Sequence, residues 1–260
     1  MTFPVEFHLF GRVIPAHMLC EAVAYTVGFQ LYLFLRRRSP RDSAKVPLEQ
    51  MMWVLVGCVF GALAGSKVLA WLESPHDYFD AANPLVLLGG KTIVGGLLGG
   101  WAGVEIVKRH FGITRSTGDL FVFPLIVGMC IGRVGCFLTG LPDHTYGVHS
   151  NLPWAVDFGD GPRHPTQLYE IAFLIVLGIA LAIRARRPYW NGELFRLFML
   201  GYLLFRFCVE FIKPRYNPWM GLSAIQVASL VGAGVCVALL IRGRSGDDSM
   251  PRDSARLSNA

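Results

Sequence analysis

The chain has 260 residues, 53% of them hydrophobic and only 16% charged, with a mean hydropathy of +0.46. That is the composition of a protein built from membrane spans. The net charge of +6 does not point to nucleic acid, because Lys and Arg cluster between apolar segments, as they do in loops facing the cytoplasm.

Residues 1–16 read as a short, partly apolar segment at the membrane surface. They lack a basic start followed by an apolar core and a small-residue cleavage site, so no cleavable signal peptide is expected. The first predicted span covers about residues 17–35 and ends at Arg36, Arg37 and Arg38. The second runs from about Gln50 to Leu72, and the third, rich in glycine, from about Leu85 to Val107. The fourth covers about Asp119 to Leu138, with Asp119 read as its N-cap. A polar, turn-rich loop over 141–165 follows as a small periplasmic head. The fifth span starts near Gln167, the sixth covers about Leu194 to Ile212, and the seventh about Ser223 to Ile241. The fold class is thus all-α, a polytopic membrane protein of seven transmembrane helices. One transmembrane domain occupies residues 1–242, and a polar tail over 243–260 is expected to be disordered. The six cysteines all fall inside apolar segments and give no disulfide framework.

The positive-inside rule sets the orientation. Arg36 to Arg38, Arg41, Lys45, Lys108, Arg109, Arg115, Arg184, Arg186, Arg187, Arg242 and Arg244 lie in one set of connections. The other set holds few cations, among them Arg12, Arg163, Lys213 and Arg215, beside Asp77, Asp80, Asp143, Asp157 and Asp160. The first set is predicted to be cytoplasmic, which puts the N-terminus outside and the C-terminus in the cytoplasm. Trp71, Trp154 and Trp219 then fall at the outer ends, as an aromatic belt.

Ionisable residues in apolar segments mark candidate sites, since each is costly there. Arg133 sits near one end of the fourth span and Arg206 is read as mid-span in the sixth. Two such guanidiniums suit a phosphodiester, because the planar fork binds phosphate oxygens in pairs. The alternative is a structural ion pair of Arg206 with Glu210, four residues on. Glu170 and Glu210 are each read as either counter-ion or general base. His164, with Gln167 and Tyr169, stands at the mouth of the fifth span, for a helix-end hydrogen bond or a substrate contact. His17 and Glu21 form an i,i+4 pair continued by Tyr25, either structural or the source of a base. Lys91 lies among glycines that favour tight helix packing, in reach of a phosphate or a glutamate. Asp143, His144, Asp157 and Asp160 match no familiar metal motif, so neither metal nor cofactor is expected.

The run GDLFVFPLIVGMCIGRVGCFLTG, followed by LPWAVDF and HPTQLYE, resembles the prolipoprotein diacylglyceryl transferase family. So do RFCVEF at Arg206 to Phe211, the glycine-rich GGKTIVGGLLGG, and GLSAIQVASL before the last span. The resemblance implies a bacterial inner-membrane transferase that moves the diacylglyceryl group of phosphatidylglycerol onto the lipobox cysteine of a prolipoprotein. Its partners would be a phosphatidylglycerol-like phospholipid and the prolipoprotein signal peptide. A lipid-binding or lipid-translocating protein on the same scaffold is the alternative. Arg133, Arg206 and Glu210 match the family's motif positions, and Gly147 is the counterpart of a family glycine. Two positions depart from the pattern: Val94 stands where the family carries a histidine, and Cys136 where it carries an asparagine. The expected catalytic set is His17, Glu21, Arg206, Glu210 and His164, with His17 first in line to replace the histidine. The expected phospholipid ligands are Lys91, Arg133, Cys136, Gly147, Gln167, Tyr169 and Glu170.

Overall fold

The computed structural model describes residues 3–9, 12–39, 46–79, 86–87, 89–214 and 221–248. Arg41, Lys45, Asp80, Arg215, Trp219 and the tail beyond Asp248 lie outside the described residues. The N-terminal segment forms an antiparallel hairpin, β1 (Glu6–Leu9) with β2 (Arg12–Pro15). Its β-branched Val13 and Ile14 fit a pleated ribbon. The helices follow: α1 (Ala16–Arg38), α2 (Leu48–Glu73), a short α3 (Pro75–Phe79), α4 (Ile93–His110), α5 (Val122–Thr139), α6 (Thr166–Ala185), α7 (Glu193–Val209) and α8 (Ala224–Asp248). Short 3-10 turns over Gly118–Phe121, Leu141–Asp143 and Glu210–Ile212 flank α5 and α7.

Five of these helices are long and apolar enough to cross a bilayer: Ala16–Arg38, Glu49–Glu73, Gly118–Thr139, Thr166–Ala185 and Ala224–Arg244. The third and sixth of the seven expected spans, α4 and α7, fall short for physical reasons. α4 carries Glu105, Lys108 and Arg109 in its last turns. α7 is only 17 residues long, yet it is the most enclosed helix, with Phe198, Met199, Tyr202 and Leu203 fully buried. About 17 residues is the lower limit of a bilayer-crossing helix, so α7 falls short in length and not in apolar character.

Two helix pairs set the frame. α2 lies along α4 and α1 along α5; α6 bridges α5 and α7, and α8 packs on α7. The α2–α4 contact is backbone to backbone. A Cβ on Gly61 or Gly65 would collide with a carbonyl of Gly99 or Gly95, and the reverse holds for Gly95 and Gly99. Spaced four apart, these glycines let the two backbones touch along three turns, as small residues do between membrane helices. The same device draws α1 onto α5, where a Cβ on Gly135 would meet Cys20 Cβ at 2.8 Å and His17 Cα at 3.2 Å.

Helix ends are closed by residues far away in sequence. Asp119 is not the cap of its own segment, which starts without a side-chain cap. Its carboxylate instead accepts from the Gly192 N–H at 2.7 Å and the Phe195 N–H at 3.0 Å, capping α7. Before α8, Ser223 and Gln226 cap each other's backbone N–H at 3.0 and 3.1 Å, a reciprocal capping box. The Ile225 N–H there donates to Glu73 Oε2 at 3.0 Å, tying α8 to the end of α2. α8 also runs past the expected boundary of the tail, through Gly243 to Asp248.

Candidate functional site

Four ionisable side chains from three helices meet in the interior. Arg133 comes from α5, Glu170 from α6, and Arg206 and Glu210 from the last turn of α7 and the 3-10 turn after it. None is more than 4% exposed. Arg206 stands in the last turn of its helix rather than mid-span, beside the start of α6. Glu170 is the centre: Arg133 Nε lies 2.9 Å from its Oε1 and Arg206 Nη1 3.3 Å from its Oε2. Tyr202 donates to Oε1 at 2.8 Å. Glu210 takes Arg206 Nη2 at 3.0 Å, so the i,i+4 ion pair of the sequence reading is one arm of a larger network. Two guanidiniums and two carboxylates cancel in charge, which is the condition for keeping them out of water.

The network is not saturated. Arg206 Nε is buried without a hydrogen-bond partner, and so are both ends of the Gln167 amide, a side chain only 1% exposed. Buried polar atoms left open in this way are suited to an incoming ligand. Lys213, in sequence simply a cation in a connection between spans, is half-buried just past the 3-10 turn. Burial, then the Arg206 guanidinium beside it, push its ammonium down to about 7. Tyr202 was likewise not anticipated: a tyrosine in an aromatic-rich apolar helix carries no sign that its hydroxyl meets a carboxylate.

The rim carries the other expected residues. His164 Nδ1 lies 3.1 Å from the Tyr169 hydroxyl, which accepts from Trp154 Nε1 at 2.8 Å. Thr166 Oγ1 donates to the Thr145 carbonyl, and Gly147 lies so close to His164 that a Cβ there would meet the histidine Cβ at 2.6 Å. The head loop is thereby clamped over the start of α6. Within it, Asp157 accepts from the N–H groups of Gly159 and Gly161, and Asp160 pairs with Arg163 at 2.6 Å. Those two carboxylates are thus occupied by the loop's own turn. Burial of Phe158 against Phe3 and Phe137 anchors the loop from below.

His17 and Glu21 do not act on each other. Glu21 accepts from the Tyr25 hydroxyl at 3.2 Å and lies 3.8 Å from Lys91 Nζ, whose side chain is 75% exposed. Lys91 precedes α4 and belongs to the rim, not to the buried network. His17 turns toward Asp143, with Nδ1 3.6 Å from Oδ1. Cys136 completes a group of three whose donor atoms all lie within 4.8 Å of one another. Arg133 Nη1 donates to Cys136 Sγ at 3.7 Å and so joins this cluster to the buried network. Val94, expected from the resemblance to stand where the family carries a histidine, is 1% exposed and part of the apolar core.

The family model for prolipoprotein diacylglyceryl transferase matches residues 4–242. A phosphatidylglycerol–prolipoprotein diacylglyceryl transferase of Nitratidesulfovibrio vulgaris (strain DP4) is 31% identical over 258 residues, covering 94% of each chain. Proteins of the same name from Idiomarina loihiensis and Pseudoalteromonas translucida are 31% and 32% identical, over 92% and 82% of this chain and 90% and 82% of theirs. The match takes in every element that builds the buried network and its rim. The chain belongs to the prolipoprotein diacylglyceryl transferase family.

Proposed function

We propose that this protein transfers the diacylglyceryl group of a phosphatidylglycerol-like phospholipid onto the lipobox cysteine thiol of prolipoproteins. It does so at the outer face of the bacterial inner membrane, as a seven-span protein with its N-terminus outside and its C-terminus in the cytoplasm. The observation that carries the reading is the buried Arg133–Glu170–Arg206–Glu210 network with donors left open beside it.

In this reading Arg133 and Arg206 hold the phosphodiester through the N–H groups that Glu170 and Glu210 leave free, and Lys213 adds charge from the rim. Glu170 serves as the shared counter-ion that fixes both forks. Gln167 supplies an amide to the headgroup. Gly147, His164 and Tyr169 shape the opening under the head loop, with Lys91 and Glu21 at its edge. The acceptor sulfur, as thiolate after giving its proton to water, attacks the glycerol carbon that bears the phosphate ester. An S–C bond forms, the C–O bond breaks, and glycerol phosphate leaves with the electron pair onto the arginines. Fixed cations at the departing charge lower the barrier because they need no reorganisation as it develops.

The test is incubation of the purified protein with labelled phosphatidylglycerol and a lipobox peptide. Label on the peptide cysteine supports the reading. Binding of the lipid with no transfer overturns it in favour of a lipid-binding protein.

A further inference from the structure

We propose that His17, Cys136 and Asp143 form a metal site of zinc type, and that its open fourth position takes the acceptor thiol. The inference rests on the transferase reading above and supplies what the apolar Val94 cannot, a means of generating thiolate.

Three separate elements bring the donors together. His17 is in the first turn of α1, Cys136 in the last turn of α5, and Asp143 in the 3-10 turn that follows. The glycine at 135 lets α1 approach until His17 lies beside Cys136. One imidazole nitrogen, one sulfur and one carboxylate oxygen are zinc ligands, and three protein ligands with one open position are the pattern of catalytic zinc. The donors lie within 4.8 Å of one another. Tetrahedral bonds of about 2.0–2.3 Å put ligand atoms roughly 3.5 Å apart, so side-chain adjustments of about an ångström close the site.

The surroundings suit the ion. His17 Nδ1 is buried without a hydrogen-bond partner. Asp143 is oriented by Thr145, whose hydroxyl donates to Oδ2 at 2.5 Å and leaves Oδ1 toward His17, the outer-shell support that metal ligands need. A cysteine thiolate and a carboxylate together balance a dication. The Arg133 guanidinium beside Cys136 is already paired with Glu170, so it does not oppose the ion with an unmatched charge.

The chemistry follows from the position. A thiol that coordinates zinc loses its proton, here to bulk water at the rim. The bound sulfur then stands next to Arg133, the residue proposed to hold the phosphate. No change of oxidation state is involved; the metal only presents a thiolate to carbon.

Metal binding and transfer are read separately on full-length protein in detergent, stripped with a chelator and reloaded. Co2+ is expected to bind at one per chain with a thiolate-to-cobalt charge-transfer band, and the band should grow when the lipobox peptide is added. Cys136→Ser should abolish the band. Asp143→Asn, a near-isosteric change on a surface turn, should weaken binding, and Thr145→Val should do so by about ten-fold. Zn2+ should displace the cobalt and restore label transfer to stripped protein. Absence of the band, or metal binding unchanged in Cys136→Ser and Asp143→Asn, overturns the site. Full transfer by stripped protein also overturns it and leaves the transferase reading intact. A Cys136-dependent band without transfer upholds the metal site and overturns that reading.

Discussion

Glu170 holds Arg133 at 2.9 Å from inside the helix bundle, and neither side chain is more than 4% exposed. Glu170 also meets Arg206 and Tyr202, so it is the residue on which the network depends for stability. Glu170→Gln leaves two buried guanidiniums without a full counter-charge. Breaking a buried pair by removing one partner costs about 3–5 kcal/mol, whereas Tyr202→Phe, which removes one hydrogen bond to a charged group, costs about 1.5 kcal/mol. Thermal unfolding in detergent should rank the two in that order; equal midpoints would show that Glu170 is not the hub.

The arginines are expected to matter more for activity than for insertion. Arg133→Ala and Arg206→Ala each remove charge-assisted contacts to phosphate worth roughly 1.5–3 kcal/mol, a loss of about ten-fold or more. Label transfer in membranes carrying equal amounts of each variant measures this. Wild-type rates in both would exclude the phosphate role.

The glycine seam between α2 and α4 permits a controlled comparison. Gly99→Ala puts a methyl group into the Gly61 carbonyl, while a Cβ at Gly96 would come only within 3.8 Å of its nearest neighbour, the Ala62 carbonyl. Overpacking of this kind costs about 1–3 kcal/mol. Gly99→Ala should therefore lower the unfolding midpoint, and Gly96→Ala should leave it in place or raise it slightly through helix propensity.

Loop order should depend on acidity. The Arg163 hydrogen bonds hold the exposed Asp160 carboxyl below its ordinary range. A depressed value means that the carboxylate favours the folded loop. The contribution is complete above the ordinary carboxylate range and is lost as pH falls through the lower, folded value. Protection factors at Gly159, Gly161 and Arg163, taken against the intrinsic exchange rate at each pH, should fall on that acid limb and stay level between pH 6 and 8, with Asp160→Asn weakening the acid-limb loss.

Topology has its own test. In a background without Cys208, the one exposed native cysteine, single cysteines at the exposed positions Asp157 and Arg187 should react on opposite sides. An impermeant reagent on intact cells should label the first only. Labelling of both would reject seven spans.

The buried network was readable because charge in an apolar run is conspicuous. Arg133, Glu170, Arg206 and Glu210 all stand out for that reason alone. Partners were harder to read. Asp119 looks like a local cap, since a sequence shows what lies three residues away and not that Gly192 folds back onto it. Glu21 looks like the orienter of His17 by helical spacing, but the glycine at 135 brings Asp143's turn nearer. The apolar run of α7 is legible, but its end is not: the helix gives way to a 3-10 turn at Glu210, which leaves it 17 residues long. The N-terminal hairpin was missed because eight residues of ordinary polarity carry too short a period-two pattern to stand out.

The long-range caps bear on the order in which the chain is made. Asp119 closes the start of α7 and Glu73 the start of α8, and both acids precede the helices they serve. A nascent chain therefore has each carboxylate already in place when the exposed N–H groups of the later helix leave the ribosome and enter the bilayer. Assembly of these two helices can run from N- to C-terminus, neither start waiting for a carboxylate not yet synthesised.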